Sequence, residues 1–231
     1  MAKTSLLSRY LKEIIYGGND GTVTTFAVVA GFVGAQAQNM TTIPLLTVLL
    51  FGFANLFSDG VSMALGNFLS SRSEQDVYAR EKKVKLLLLK KQEADQEAKT
   101  LSILINEGFS QEQAKTLTTL YKSNESYWLD FMMDHELQIP NPEKQNVFSM
   151  ALVTFLAFII FGVIPLLPYV FFRTHEKVFL FSFLCTGLAL LILGLLRWRV
   201  TRHPLGRSLL ETLVLGGAAA FVAYIVGTQI H

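Results

Sequence analysis

From residue 21 to residue 71 this chain carries one charged side chain, Asp59, and from 147 to 172 it carries none. Runs of that length, wound at 1.5 Å per residue, reach across the ~30 Å hydrocarbon core of a bilayer. They mark a multispanning helical membrane protein. Composition agrees: of 231 residues 51% are apolar and 16% charged, against roughly 25% charged in soluble domains. A net charge of +2 gives no reason to expect a nucleic-acid partner. The lone Cys185 sits within an apolar run and leaves no intrachain disulfide framework.

The exception to this apolar rule is the stretch 55–70, NLFSDGVSMALGNFLS. On a helix, neighbours three and four apart are stacked, so Asn55, Asp59, Ser62 or Met63, Gly66 and Ser70 share a face. A charge at that depth is costly in lipid and faces a partner or a watery path. Two readings follow: Asp59 is buried in a helix–helix contact, or Asp59 and Met63 line a path for metal ions.

Residues 5–16 read as an amphipathic helix with Leu6, Leu7, Tyr10, Leu11, Ile14 and Ile15 on one side. Arg9, Lys12 and Glu13 interrupt it, which argues against a removable signal peptide. The cluster 17–21, GGNDG, is turn-prone by composition. Span one is expected at 22–37, with Ala27, Gly31 and Ala35 forming a small-residue stripe. A short connection at 38–42 leads to span two, 43–69, with Pro44 in its first turn.

The middle of the chain, 71–146, turns polar and reads as a three-helix domain. Nothing between 73 and 91 breaks the helix of span two. Gly108 suits a helix C-cap, Ser110 and Gln113 form a capping-box pair, and a third helix covers 125–137. Lys82 to Lys91 read as a solvated face touching anionic lipid. Span three, 147–172, contains Pro165 and Pro168, whose freed carbonyls need another donor. Span four is 178–196, ending in Arg197-Trp198-Arg199, and span five is 209–230, with Ala219, Ala223 and Gly227 repeating every four residues. The expectation is therefore an all-α, five-span membrane protein. A cytosolic three-helix domain (71–146) is inserted between a first part, 1–70, and a last, 147–231.

Basic residues set the orientation. Eighteen of the 20 Lys and Arg fall in the N-terminal segment, the inserted domain and the link before span five. Placing that side in the cytosol follows the positive-inside tendency.

With these residues in view, the segments 16–31 (YGGNDGTVTTFAVVAG), 62–66 (SMALG) and 165–168 (PLLP) resemble the vacuolar iron transporter (VIT) family, bacterial members included. The resemblance covers essentially the whole chain. It implies a homodimer with an ion path at the subunit interface, formed largely by the first two spans. It also implies export of cytosolic Fe2+ and similar divalent ions in exchange for protons, with Asp20 and Met63 lining the path. Met132, Met133 and Glu136 resemble the Met-Met plus Glu element of the family's cytosolic metal-binding domain. One departure stands out: eukaryotic members carry two Glu-x-x-Glu pairs where this chain has Lys85, Leu88, Gln96 and Lys99. The candidate cytosolic set is thus Met132, Met133 and Glu136 with Glu93 or Glu97. Asp59 is an addition relative to plant-type members.

Carboxylates suit hard cations and a thioether softer ones, so Asp20, Asp59 and Met63 point to Fe2+ and its neighbours Mn2+, Co2+ and Zn2+. A two-fold axis doubles the set, and protonation of a carboxylate there releases the metal. The metal is cargo, and no resident cofactor is expected. No nucleophile–base pair, phosphate loop or zinc spacing is present, so an enzyme is not expected. The alternative is a membrane-anchored metal sensor or scaffold that binds ions without moving them. The expected membrane is a bacterial inner membrane, or a vacuolar one in a eukaryotic host.

Overall fold

The computed structural model describes residues 6–37, 45–142, 146–172, 177–201 and 205–229. The connections at 38–44 (Pro44 included), 173–176 and 202–204 lie outside them. Among the described residues all regular structure is helical. The chain divides into two compact units, one built from Met1–Phe68 and Val147–His231, the other from Leu69–Asn146.

The first unit holds α1 (Leu6–Arg9), α2 (Leu11–Ala37), the first part of α3 (Leu45–Lys91), α7 (Val147–Gly162), α8 (Leu167–Phe171), α9 (Val178–Thr201) and α10 (Leu205–Gln229). Among the described residues three helical segments are long and apolar enough to cross a membrane, by length and composition: Leu45–Lys91, Val147–Phe171 and Val178–Val200. Expected spans one and five correspond to α2 and α10, of 27 and 25 residues, which are not among those three.

Two expectations at the N-terminus are corrected. The amphipathic segment breaks at Tyr10, and its second half forms the first turns of α2. The GGNDG cluster is not a turn, because α2 runs through it without interruption. Its glycines serve close approach. A Cβ on Gly17 would lie 2.6 Å from the Thr154 carbonyl oxygen of α7, and one on Gly21 would collide with the Phe158 carbonyl. Small residues that let apolar helices touch backbone to backbone supply packing where no hydrophobic force separates helix from lipid.

The same logic joins the two small-residue stripes. A Cβ on Gly34 would meet the Tyr224 carbonyl of α10 at 2.5 Å, and one on Gly227 would run into the Gly31 backbone. The stripe of α2 therefore packs on that of α10. The proline break also has a structural answer. Helix α7 ends at Gly162, a 3-10 turn covers Ile164–Leu166, and the Ser182 hydroxyl of α9 donates to the Pro165 carbonyl at 2.7 Å.

The second unit comprises the rest of α3, α4 (Glu93–Asn106), α5 (Gln111–Lys122) and α6 (Glu125–His135). Gly108, at φ +99°, follows α4 as its left-handed terminator. Ser110 and Gln113 exchange both capping-box hydrogen bonds at 3.3 and 3.0 Å. Helix α6 stops two residues short of the expected 137. Tyr78, Leu89, Leu104, Trp128, Phe131, Met132 and Met133 form the core.

Candidate functional site

In the first unit, Asn55 and Asp59 stand one turn apart on α3. The Asn55 side-chain amide donates to Asp59 Oδ2 at 2.8 Å, holding the carboxylate in one orientation. Asp20, on α2, lies within electrostatic reach of Asp59. The Thr24 hydroxyl donates to the Asp20 backbone carbonyl at 2.7 Å, so it does not occupy the carboxylate. Met63 follows Asp59 by one further turn and is half-buried, as are Asn55 and Asp59, while Asp20, Ser62 and Gly66 are exposed. Among the described residues no Lys or Arg forms an ion pair with Asp20 or Asp59.

Asn55 also belongs to the wall of an open groove of about 680 Å³ between α2, α3 and α10, whose other walls include Ala27, Gly31, Phe51, Ala223 and Gly227. On the face that bears Asp59, Asn55, Asp59 and Met63 are half-buried and Ser62 and Gly66 exposed, while Phe57, Val61 and Leu65, on the other side of α3, are exposed apolar side chains. The helix-period reading of residues 55–70 becomes a real surface here, since α3 is unbroken from Leu45 to Lys91. Among the described residues no three His, Cys, Asp or Glu come close enough to hold a metal ion. One chain brings together two carboxylates, an amide and, one turn on, a thioether.

The candidate residues of the second unit have other partners. Met132 and Met133 are fully buried in its core. The Thr100 hydroxyl accepts the Trp128 indole N–H at 2.8 Å, donates to the Gln96 carbonyl at 2.8 Å and lies 3.2 Å from Met132 Sδ. Glu136 is ion-paired with Lys85 and, at 2.8 Å, with Lys99. Burial by itself raises the Glu136 carboxyl, but the hydrogen bonds and charges of Lys85 and Lys99 outweigh it and hold the group below the usual carboxylate range. Glu93 and Glu97 both bind Lys122, at 2.9 and 2.6 Å. The hydrogen bonds that the Lys122 ammonium donates to Glu97 and Glu93 push it above its ordinary range.

The residues that the sequence offers as one ligand set, Met132, Met133 and Glu136 with Glu93 or Glu97, are thus engaged with other partners. Glu136 pairs with two lysines and Glu93 and Glu97 with another, and the sulfurs are in the core. The solvated lysine face at 82–91 holds at Lys83, Lys90 and Lys91, which are exposed, and is corrected at Lys85. Lys85 is 3% exposed, and Lys82 pairs with Asp130 at 3.0 Å.

Two features escaped the sequence reading. Lys85, Gln96 and Lys99 surround Glu136; the only local sign was Lys85 next to the apolar run 86–89. Glu13, which appeared only as a charge interrupting an amphipathic segment, is 4% exposed, and among the described residues its Oε2 has no hydrogen-bond partner. It lies seven residues, two helical turns, before Asp20 on α2.

An all-helical chain with three apolar helices of spanning length, one of them carrying a half-buried carboxylate, is an integral membrane protein. More specifically, the chain belongs to the VIT family, whose model matches residues 11–228. It is 32% identical over 219 residues to "Vacuolar iron transporter 2" of Oryza sativa subsp. japonica, covering 93% of this chain and 85% of that protein. It is 31% identical over 221 residues to "Vacuolar iron transporter 1" of Arabidopsis thaliana, covering 96% and 86%. With the "Vacuolar iron transporter" of Plasmodium falciparum (isolate 3D7) the identity is 30% over 226 residues, covering 94% and 81%. These relatives are transporters by name, and the chain is a member of a transporter family rather than an enzyme.

Proposed function

We propose that this chain carries divalent transition metal across a membrane, Fe2+ foremost and Mn2+, Co2+ and Zn2+ as neighbours in chemistry. The relatives named as vacuolar iron transporters support the metal. The acting form is a homodimer with five spans per copy: α2, the first part of α3, Val147–Phe171, α9 and α10. Two copies meet along the α2–α3 face, and the path is lined by Asp20, Asn55, Asp59 and Met63. The N-terminus and the unit Leu69–Asn146 face the cytosol, in keeping with the distribution of Lys and Arg, and the metal leaves the cytosol.

The observation that carries this reading is the Asp20–Asp59 pair, two carboxylates within electrostatic reach on α2 and α3, one exposed and one half-buried. Three oxygen-bearing side chains and one thioether fall short of the six ligands of an octahedral divalent ion. A second copy related by a two-fold axis supplies the same set again. Like charges in an apolar setting demand compensation, and either a divalent cation or protons provide it. Exchange of one for the other at the same carboxylates is proton antiport.

Proteoliposomes with an imposed pH gradient test this. Fe2+ should cross with the wild-type protein, accompanied by counter-movement of protons, and Asp59→Asn should reduce both to the level of empty vesicles. Metal that binds without crossing would instead make the protein a sensor or scaffold.

A further inference from the structure

The carboxylates of the unit Leu69–Asn146 that sequence alone offers to a metal already hold cations supplied by the chain itself. Lys85 is the key residue, because its side chain is 3% exposed and its ammonium is directed at two acceptors, Glu136 Oε2 and, at 3.2 Å, Gln96 Oε1. Gln96 is itself 1% exposed, so it has no solvent to turn to if Lys85 leaves. Lys99 reaches the other oxygen of Glu136 at 2.8 Å. One carboxylate thus carries an ammonium on each oxygen. The neighbouring soft ligand is likewise engaged, since Met132 Sδ lies beside Thr100, whose hydroxyl is fixed by Trp128 and Gln96. For a divalent ion to bind Glu136 it would have to displace two positive charges, one of them buried. Removing one partner of a buried, hydrogen-bonded ion pair leaves the other uncompensated, a strongly unfavourable change.

We infer that Lys85 and Lys99 are built-in counter-ions occupying the Glu136 cluster, so that this unit folds without divalent metal and takes none up. The cluster keeps oxygen donors suited to a cation, the Glu136 carboxylate and the side-chain oxygen of Gln96, gathered around the Lys85 ammonium. Exchanging the two ammonium groups for carboxylates converts it into a divalent-cation site. The inference rests on the geometry of this unit alone and stands or falls separately from transport along the Asp20–Asp59 face.

The chain has two tryptophans, and Trp128 donates to Thr100, one turn from Gln96 on α4. In full-length Trp198→Phe protein in detergent, Trp128 therefore reports on the cluster alone, and Co2+, which quenches indole emission at short range, is the probe. With Lys85 and Lys99 in place, Co2+ should produce no saturable quenching, and the melting temperature of this unit should be the same with Co2+ as with a chelator. The Lys85→Glu/Lys99→Glu variant should gain saturable quenching that the chelator reverses and that a third change, Glu136→Gln, abolishes. Saturable quenching of the protein with native lysines, lost on Glu136→Gln, would overturn the inference, and that arm needs no charge-reversal variant to fold. A folded double variant that gains no Co2+ response would also overturn it. If the double variant does not fold, Lys99→Glu alone, which retains the buried Lys85–Glu136 pair, should stay folded and still show no saturable response.

Discussion

The two units of this protein treat their carboxylates in opposite ways. In the unit built on α2, α3 and α7 to α10, Asp20 and Asp59 lie within electrostatic reach of one another, and among the described residues neither has an ion-pair partner. In the unit Leu69–Asn146, Glu136 has two lysines and Lys122 holds both Glu93 and Glu97. Both regions contain acids beside methionine, and by residue type alone they are equivalent. What separates them is whether the chain supplies the counter-charge. An acid with its own lysine is a structural element. An acid left without one in apolar surroundings attracts whatever cation arrives.

The sharpest way to break this contrast is to remove the counter-charge where it exists. Lys85→Met leaves Glu136 with one cation and Gln96 Oε1 with no donor; the expected loss of stability is about 3 kcal/mol, toward the low end for breaking a buried pair because Glu136 is partly exposed. It is read from chemical denaturation of the full chain by Trp128 emission in the Trp198→Phe background. A loss near zero would mean that the lysine is not a true counter-ion.

Next in size is the opposite region. Asn55→Leu removes the donor that orients Asp59, and metal affinity should fall on the order of 10- to 100-fold, the usual effect of deleting a ligand's hydrogen-bond partner. Equilibrium dialysis with Co2+ measures it, and an unchanged affinity would detach Asp59 from metal binding. A third prediction concerns packing. Gly227→Val would force a side chain into the Gly31 backbone and should cost about 1–3 kcal/mol, seen as a lowered melting temperature.

The smallest effect is pH-dependent. The Glu136 carboxyl titrates below its ordinary 4.5 in the folded unit. The stability it confers is therefore complete above about pH 4.5 and is lost as pH falls through the lowered native value. Melting temperature between pH 3 and pH 6 (the range set by ordinary carboxylate values) should fall less steeply with acid in Lys85→Met than in wild type.

Much of the architecture is legible in the residues. The helix through 73–91, the capping box at Ser110 and Gln113, the terminator Gly108 and the proline break each follow from one local rule, and each has a local structural counterpart. Both small-residue stripes were visible, but nothing local says that Gly31 and Gly227 meet. The GGNDG cluster misled because its composition favours a turn in water. Against α7 the backbone keeps its helical hydrogen bonds, and missing side chains become an advantage for close packing. Lys85 misled because its neighbours Lys82, Lys83, Lys90 and Lys91 look solvated. Its burial is decided by Gln96 and Glu136, 11 and 51 residues away. In the first unit, helical periodicity sufficed to put Asn55, Asp59 and Met63 on one side. The approach of Asp20 depends on how α2 lies against α3, which no local pattern encodes.

The most direct measurement is Co2+ binding by the full-length protein in detergent, compared between wild type and Asp20→Asn/Asp59→Asn by equilibrium dialysis. The account predicts that wild type binds and the double variant does not. Binding that survives in the double variant and disappears on Glu136→Gln would contradict it, because the cation would then sit on the carboxylate that already has two lysines.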